Sequence, residues 1–250
     1  MTWGIVPAAG AGTRIQPLAF SKELLPVGSR RDGGGVERPR AICEHIVDRM
    51  ILGGASRICF VIGPDKSDII QYLGAGTPAA PIAYVVQQQP GGLCDAVFRA
   101  LPLLAPDQPA IVGLPDTIWF PEDALARLPD DQLTFLCFPV DEPQHFDAVV
   151  AEGGRVREIQ VKQPAPASRW IWGAFKLPAR TLAELHELWR EPGRGDPYFG
   201  TLVNAWLARG GRAYAAYAGE TYVDVGTLRG WRDAARLLDG RALPAPPGAR

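Results

Sequence analysis

The stretch that most constrains this chain is its first, Trp3-Gly4-Ile5-Val6-Pro7-Ala8-Ala9-Gly10-Ala11-Gly12-Thr13-Arg14, continued by Ser21-Lys22-Glu23-Leu24-Leu25-Pro26. A short apolar run, which reads as a buried strand over 2–7, ends in a loop of small residues that delivers an arginine and then a lysine. Glycines accept positive φ and let the main chain approach an anion, and the cations supply charge, so this is the composition of a backbone that wraps phosphates. Gly10 and Gly12 would equally serve a plain tight turn. The loop is not a Walker P-loop, which ends in Gly-Lys-Ser/Thr, and Ile15 stands where G-x-G-x-x-G needs its third glycine.

Beyond the loop, strand and helix patterns alternate. Ile42, Ile46, Val47, Met50 and Ile51 give helical spacing over 40–52. A strand follows over 57–62, a helix over 65–73, a strand over 82–86, a helix from Cys94 to about Leu104 and a strand over 110–114. This order implies right-handed crossovers and a mostly parallel sheet, with ligands at the carboxyl ends of its strands. The glycine-rich segment 29–38 is expected to be a mobile surface excursion. After an apolar strand over 133–140 the texture changes. Strands over 148–151, 156–161 and 170–177 have few helices between them, which predicts a small antiparallel or mixed extension lying over the sheet. Helices over 179–189 and 197–209, a strand pair within 212–225 and a helix over 228–238 close the chain. The fold class is therefore α/β, with one domain over 1–240 and a proline-rich tail, 241–250, expected to be disordered.

A net charge of −1 argues against a nucleic-acid footprint. Cys43, Cys59, Cys94 and Cys137 stand singly in apolar surroundings and read as reduced core residues, which favours the cytoplasm. There is no signal peptide pattern and no apolar run of the ~18 residues a membrane span needs. Lysine is scarce: Lys22, Lys66, Lys162 and Lys176 are the only four of 26 basic residues, so a lysine inside a motif carries weight.

Gly12-Thr13-Arg14 together with Lys22-Glu23-Leu24-Leu25-Pro26 resembles the signature of the sugar-1-phosphate nucleotidylyltransferases, and the resemblance runs from Gly4 to about Leu238. It implies a Rossmann-like nucleotidylyltransferase fold with a nucleotide-binding half at 1–140 and an acceptor half at 141–240. It implies that the loop of Pro7, Ala8, Ala9, Gly10, Gly12 and Thr13 holds the nucleotide, that Arg14 grips the triphosphate and that Lys22 contacts phosphate near the reacting phosphorus. Gln87 matches the family's base-reading glutamine, and Gly92-Leu93 its glycine-leucine pair. An amide satisfies both a carbonyl and an imide N–H, which favours a pyrimidine. Asp116, in Gly113-Leu114-Pro115-Asp116, and Asp224, in Tyr222-Val223-Asp224-Val225-Gly226-Thr227, match two metal-binding aspartates, with Mg2+ as the cofactor. Either carboxylate could instead cap a helix, although Thr227 is better placed to cap the last one. Lys162 matches, with one residue inserted, the lysine that binds the phosphate of the sugar phosphate. The acceptor is assigned to Lys162, Trp172 and Gly173.

The chain also departs from the family pattern, and the departures cluster in the acceptor half. Val161 replaces the usual glutamate, a glycine is missing around Phe146-Asp147, and Asp196-Pro197-Tyr198-Phe199 replaces a Glu-Leu-Glu-type segment. Trp170, Trp172 and Phe199 either face an acceptor ring or pack the lid region against the sheet. His45, His145 and His186 are dispersed and read as surface or packing residues. The expected activity is magnesium-dependent transfer of a nucleotidyl group from dTTP or UTP to a sugar 1-phosphate, with Arg14, Lys22 and Lys162 as catalytic residues. The expected partners are these two substrates, with no nucleic acid and no membrane, and a homo-oligomer is left open. Two alternatives stand beside it. One is a nucleotidylyltransferase, for example a cytidylyltransferase, acting on a non-sugar phosphate or phosphonate, and the other is a catalytically silent regulatory relative that binds nucleotide sugar.

Overall fold

Strand β1 (Thr2–Pro7) is buried on both faces, as its unbroken apolar run requires. Trp3 and Ile5 point into one helical layer and Val6 into the other. The computed structural model describes residues 1–239; the tail at 241–250 lies outside them. In chain order, β1 is followed by β2 (Pro26–Arg31), β3 (Glu37–Ala41), α1 (Ile42–Leu52), β4 (Ala55–Ile62), α2 (Ser67–Leu73), β5 (Gly76–Thr77), β6 (Ala80–Val86) and α3 (Gly92–Phe98). Then come β7 (Pro109–Gly113), β8 (Thr117–Phe120), β9 (Leu133–Pro139), β10 (Asp147–Glu152), β11 (Arg155–Val161) and β12 (Trp170–Pro178). Helices α4 (Ala179–Trp189) and α5 (Phe199–Ala208), strands β13 (Ala213–Ala216) and β14 (Thr221–Asp224), and α6 (Leu228–Leu238) complete the described chain.

Ten strands form one sheet in the order β10-β11-β13-β9-β12-β7-β1-β4-β6-β5. Its β7-β1-β4-β6 part is parallel, as the alternating pattern predicts. The expected extension does not lie over this sheet but continues it edge to edge. Strand β12 pairs antiparallel with both β7 and β9, so the part of the chain after residue 140 shares hydrogen bonds with the part before it. Apolar residues of α3, α4 and α5, among them Val97, Leu182, Leu185 and Leu202, cover one face. Ile46 and Met50 of α1 and Ile69 of α2 cover the other.

Three further expectations are corrected. Segment 29–38 is an ordered hairpin of β2 and β3, whose turn is tied by the Asp32 carboxylate accepting from the N–H groups of Gly34 and Val36. Helix α3 ends at Phe98, short of the expected Leu104, and only a 3-10 turn over Leu101–Leu103 follows, because Pro102 has no N–H to continue the ladder. The two strands within 212–225 do not pair with each other: β13 lies parallel to β9, and β14 pairs antiparallel with β8, which the sequence pattern had not revealed. Of the two readings open for Phe199, packing holds: it is fully buried and stacked on Phe175 at 4.4 Å between ring centroids. Trp170 packs edge-on against Tyr217.

The core placement of Phe199 predicts that Phe199→Ala lowers unfolding free energy by about 3–5 kcal/mol, the range for deleting a buried ring. Chemical denaturation measures it.

Candidate active site

The loop after β1 is held from below by a buried cation. Lys66, just before α2, donates its Nζ to the carbonyls of Ala8 (2.7 Å) and Gly10 (2.6 Å) and to both oxygens of Glu23 (2.9 Å). Glu23 belongs to a single 3-10 turn, Lys22–Leu24, so one ammonium pins the start of the loop to its end. Burial raises the Glu23 pKa, and the charges of Lys66 and Lys22 oppose this. Asp68 fixes the same end, accepting from the Ser21 N–H (2.6 Å) and hydroxyl (2.7 Å). Gly12 adopts φ +67°, and a β-carbon there would lie 2.6 Å from Cδ of Lys22. Only glycine lets the lysine stem run this close beneath the loop.

The two cations of the loop meet two carboxylates. Lys22 Nζ lies 2.5 Å from Asp116 Oδ2, and Arg14 Nη1 lies 2.9 Å from Asp224 Oδ2. Asp116 ends the link from β7 to β8, and the β8–β14 pairing brings Asp224 opposite Thr117. The N–H of Val225 donates to the Asp116 carbonyl at 2.8 Å, which locks the register. A β-carbon built on Gly226 would be 2.8 Å from Asp224 Oδ1 and 3.3 Å from Asp116 Oδ2, so the carboxylates converge on one small space. Neither caps a helix: Thr227 caps α6, its side chain accepting from the Gly230 N–H at 3.0 Å, and Asp116 precedes a strand. Burial pulls the Lys22 pKa down, but Asp116, Glu23 and Asp224 outweigh it and the net shift is upward, so Lys22 is cationic throughout the neutral range. Two converging carboxylates fit a hard divalent cation that takes oxygen ligands and fills its remaining positions with phosphates and water. No cluster of three or more His, Cys, Asp or Glu suited to a metal occurs among the described residues.

These groups line a cleft of about 550 Å³. Of the residues expected from sequence, Pro7, Gly10, Arg14, Lys22, Gly92, Leu93, Asp116, Lys162, Trp172 and Asp224 line it. Ala8, Ala9, Gly12, Thr13, Gln87 and Gly173 are not in its wall. Gln87 is buried behind Gly92, with its amide donating to Asp95 (2.6 Å) and to the Gly92 carbonyl (3.3 Å). Gly173 makes room for Tyr222, since a β-carbon there would lie 2.6 Å from that ring.

Opposite the loop, Lys162 takes φ +46°, an uncommon left-handed conformation for a side-chain-bearing residue, with its N–H on the Phe146 carbonyl at 3.0 Å. Its ammonium stands 4.7 Å from the centre of the Tyr198 ring. Phe146, Asp147, Tyr198, Tyr222 and His145 also line the cleft, and none had been assigned a role there. His145, expected at the surface or in packing, is exposed on the cleft wall. Burial raises the Asp147 pKa, partly offset by Lys162 and by a weak contact from the Trp172 indole N–H. Burial beside Asp224 and Asp116 holds the Tyr222 phenol well above its ordinary range. The scarcity of lysine was the available signal for Lys66, while nothing local in the sequence marks its partnership with Glu23.

Comparison with known proteins identifies the family and the fold. A family model described as nucleotidyl transferase matches residues 3–240. A glucose-1-phosphate thymidylyltransferase of Neisseria meningitidis is 26% identical over 247 residues, covering 94% of this chain and 82% of that protein. A UTP–glucose-1-phosphate uridylyltransferase of Haloferax volcanii is 26% identical over 235 residues, covering 91% of this chain and 88% of the relative. A Bacillus anthracis structure assigned as a glucose-1-phosphate thymidylyltransferase, in complex with sucrose, superposes with a TM-score of 0.83 at 23% identity, covering 98% of both chains. UTP-bound UGPase from Acinetobacter baumannii gives 0.77 at 20% identity, over 95% of this chain and 93% of its own. These two structures bear on the fold, which is that of the nucleotidyltransferases.

Because Lys66 neutralises a fully buried Glu23, Lys66→Met should cost about 3–5 kcal/mol of stability, the penalty for stranding a buried charge. A Lys66→Met/Glu23→Gln double variant should recover part of it. Denaturant titrations of both variants provide the check.

Proposed function

The chain belongs to the nucleotidyl transferase family, and from that premise we propose that it transfers a nucleotidyl group from a pyrimidine nucleoside triphosphate, UTP or dTTP, to a sugar 1-phosphate. The products are a nucleoside diphosphate sugar and pyrophosphate. Its names for partners come from the relatives: both the thymidylyltransferase and the uridylyltransferase act on glucose 1-phosphate by name. The observation that carries the reading is one cleft lined together by Arg14, Lys22 and Lys162 and by the converging Asp116, after β7, and Asp224, at the end of β14.

An acceptor phosphate oxygen attacks the α-phosphorus, the bond to the β-phosphate oxygen breaks, and pyrophosphate leaves with its electron pair. A phosphate monoester is nucleophilic at neutral pH without a protein base, so the chain's work is positioning and charge neutralisation. Lys162 holds the acceptor phosphate against repulsion from the triphosphate. Lys22 contacts the reacting phosphates, and Arg14, exposed at the mouth of the cleft, takes the departing pyrophosphate. Asp116 and Asp224 would hold Mg2+, which supplies charge neutralisation at the triphosphate. For the two cations to reach phosphate they must leave the carboxylates that hold them in the free protein. Gln87, one residue behind the cleft wall, reads the pyrimidine once its amide turns from Asp95.

A second reading has its own observation: the segments that depart from the family pattern, Phe146-Asp147 and Pro197-Tyr198, line the cleft. That favours an acceptor other than the common sugars, including a non-sugar phosphate or phosphonate. A silent binding protein is disfavoured, since mere binding does not require the full set of Arg14, Lys22, Lys162, Asp116 and Asp224.

The test is pyrophosphate release by the purified protein, with magnesium, across the nucleoside triphosphates and a panel of sugar 1-phosphates. Turnover with UTP or dTTP and at least one sugar 1-phosphate is expected, and silence across the panel overturns the reading. Asp116→Asn should lower kcat by about 100-fold or more while leaving the circular dichroism spectrum unchanged. Near wild-type turnover would overturn the assignment of Asp116 as a metal ligand.

A further inference from the structure

Among the described residues three aspartates line the cleft, and they are not equivalent. Asp116 and Asp224 each touch a cation, Lys22 and Arg14 respectively, and converge on one space. The third, Asp147, opens β10 on the acceptor wall and makes no ion pair within contact distance among the described residues. Its nearest cation, Lys162, follows β11, which pairs with β10 so that Asp147 lies opposite Val161. That ammonium is turned onto Tyr198 instead. The Trp172 indole N–H, itself buried without a full hydrogen bond, offers only a weak contact. A half-buried carboxylate on the wall of a cleft, with no strong donor, is an unfavourable arrangement in the free protein. It becomes favourable when a ligand brings donors.

Substrate binding sharpens the demand. On the proposed reading, on which this inference rests, Lys162 is taken by the acceptor phosphate. Asp147 then faces the acceptor with even less positive charge to itself. The group it meets lies on the acceptor close to the phosphate, since Lys162 and Asp147 stand at adjoining ends of paired strands. An ammonium there would have to share the site with the Lys162 charge. Neutral hydroxyls meet no such repulsion, and two neighbouring hydroxyls match the two oxygens of one carboxylate. Trp172 and Tyr222 also reach the cleft wall, although both rings are largely packed against core aromatics, Trp172 on Phe135 and Phe175 and Tyr222 on Phe138 and Phe146.

We propose that Asp147 is a specificity-determining residue that accepts hydrogen bonds from free hydroxyls of the acceptor sugar next to its phosphate-bearing carbon. It selects hydroxylated acceptors and rejects those deoxygenated or acylated at that position. The residue does not take part in bond making, so the expected signature is in acceptor discrimination rather than in nucleotide binding.

The experiment compares kcat/KM for the best sugar 1-phosphate with that for its 2-deoxy and 3-deoxy analogues, in wild type, Asp147→Asn and Asp147→Ala. Phosphoethanolamine serves as an amine-bearing probe. In the wild type one deoxy analogue should be poorer by about 100-fold or more, because a site built to bind a hydroxyl is left unpaired without it. In Asp147→Ala that ratio should shrink by about 10-fold or more, with KM for the triphosphate changed less than about 3-fold. An unchanged ratio in both variants overturns the proposal, whatever happens to overall rate. So does better turnover of phosphoethanolamine than of any sugar 1-phosphate, which would make Asp147 a cation reader. A wild type that uses no sugar 1-phosphate at all overturns the underlying reading, and is distinguished by its silence before any variant is made.

Discussion

The contact between Lys22 and Asp116 is the constraint on which the site depends. It joins the loop after β1 to the carboxyl end of β7 across the space where a phosphate chain would lie. The lysine reaches that point because Gly12 leaves room for its stem, and the loop keeps its shape because Lys66 and Glu23 tie its two ends together beneath. Arg14 and Asp224 repeat the arrangement a step nearer solvent. Lys22 and Arg14 are therefore already paired in the free protein. On the proposed reading they would meet a polyanion once a divalent metal takes over the carboxylates that hold them.

Much of this was legible in the sequence, and the reason differs by element. Strand β1 and its loop could be read because an unbroken apolar run followed by small residues and cations has few other uses. The helices α1, α4 and α6 follow from their periodicity, and Thr227 could be picked as the cap of α6 from position alone. The parallel half of the sheet follows from alternation. What could not be read was pairing at long range. Strand β8 is four residues long and hidden behind Pro115-Asp116, so nothing local announced that β14 would pair with it rather than with β13. Yet that pairing is what sets Asp224 beside Asp116. The sequence supplied two aspartates, and the register of two short strands makes them one site.

The acceptor wall was the least legible part for a related reason. Phe146-Asp147, Lys162 and Pro197-Tyr198 come from three separate segments; Lys162 matches the family lysine only with one residue inserted, and the other two are noticeable only as departures from the family pattern. The structure brings all three to the same cleft. The aromatic residues divide only in the folded chain: Trp172, although buried, reaches the cleft wall, while Phe199 is spent in the core against Phe175. Lys66 escaped for the opposite reason. Its partners are backbone carbonyls and a glutamate 43 residues away, and no spacing rule links them.

The account stands on the exchange of partners at Lys22 and Asp116, and calorimetric titration with UTP or dTTP tests it most directly. Removing the charge of Asp116 frees Lys22 for phosphate but deprives the metal of a ligand. In EDTA, Asp116→Asn should bind the triphosphate several-fold more tightly than wild type, and with magnesium present the order should reverse. Weaker binding by the variant in EDTA, or the same order under both conditions, would contradict the account.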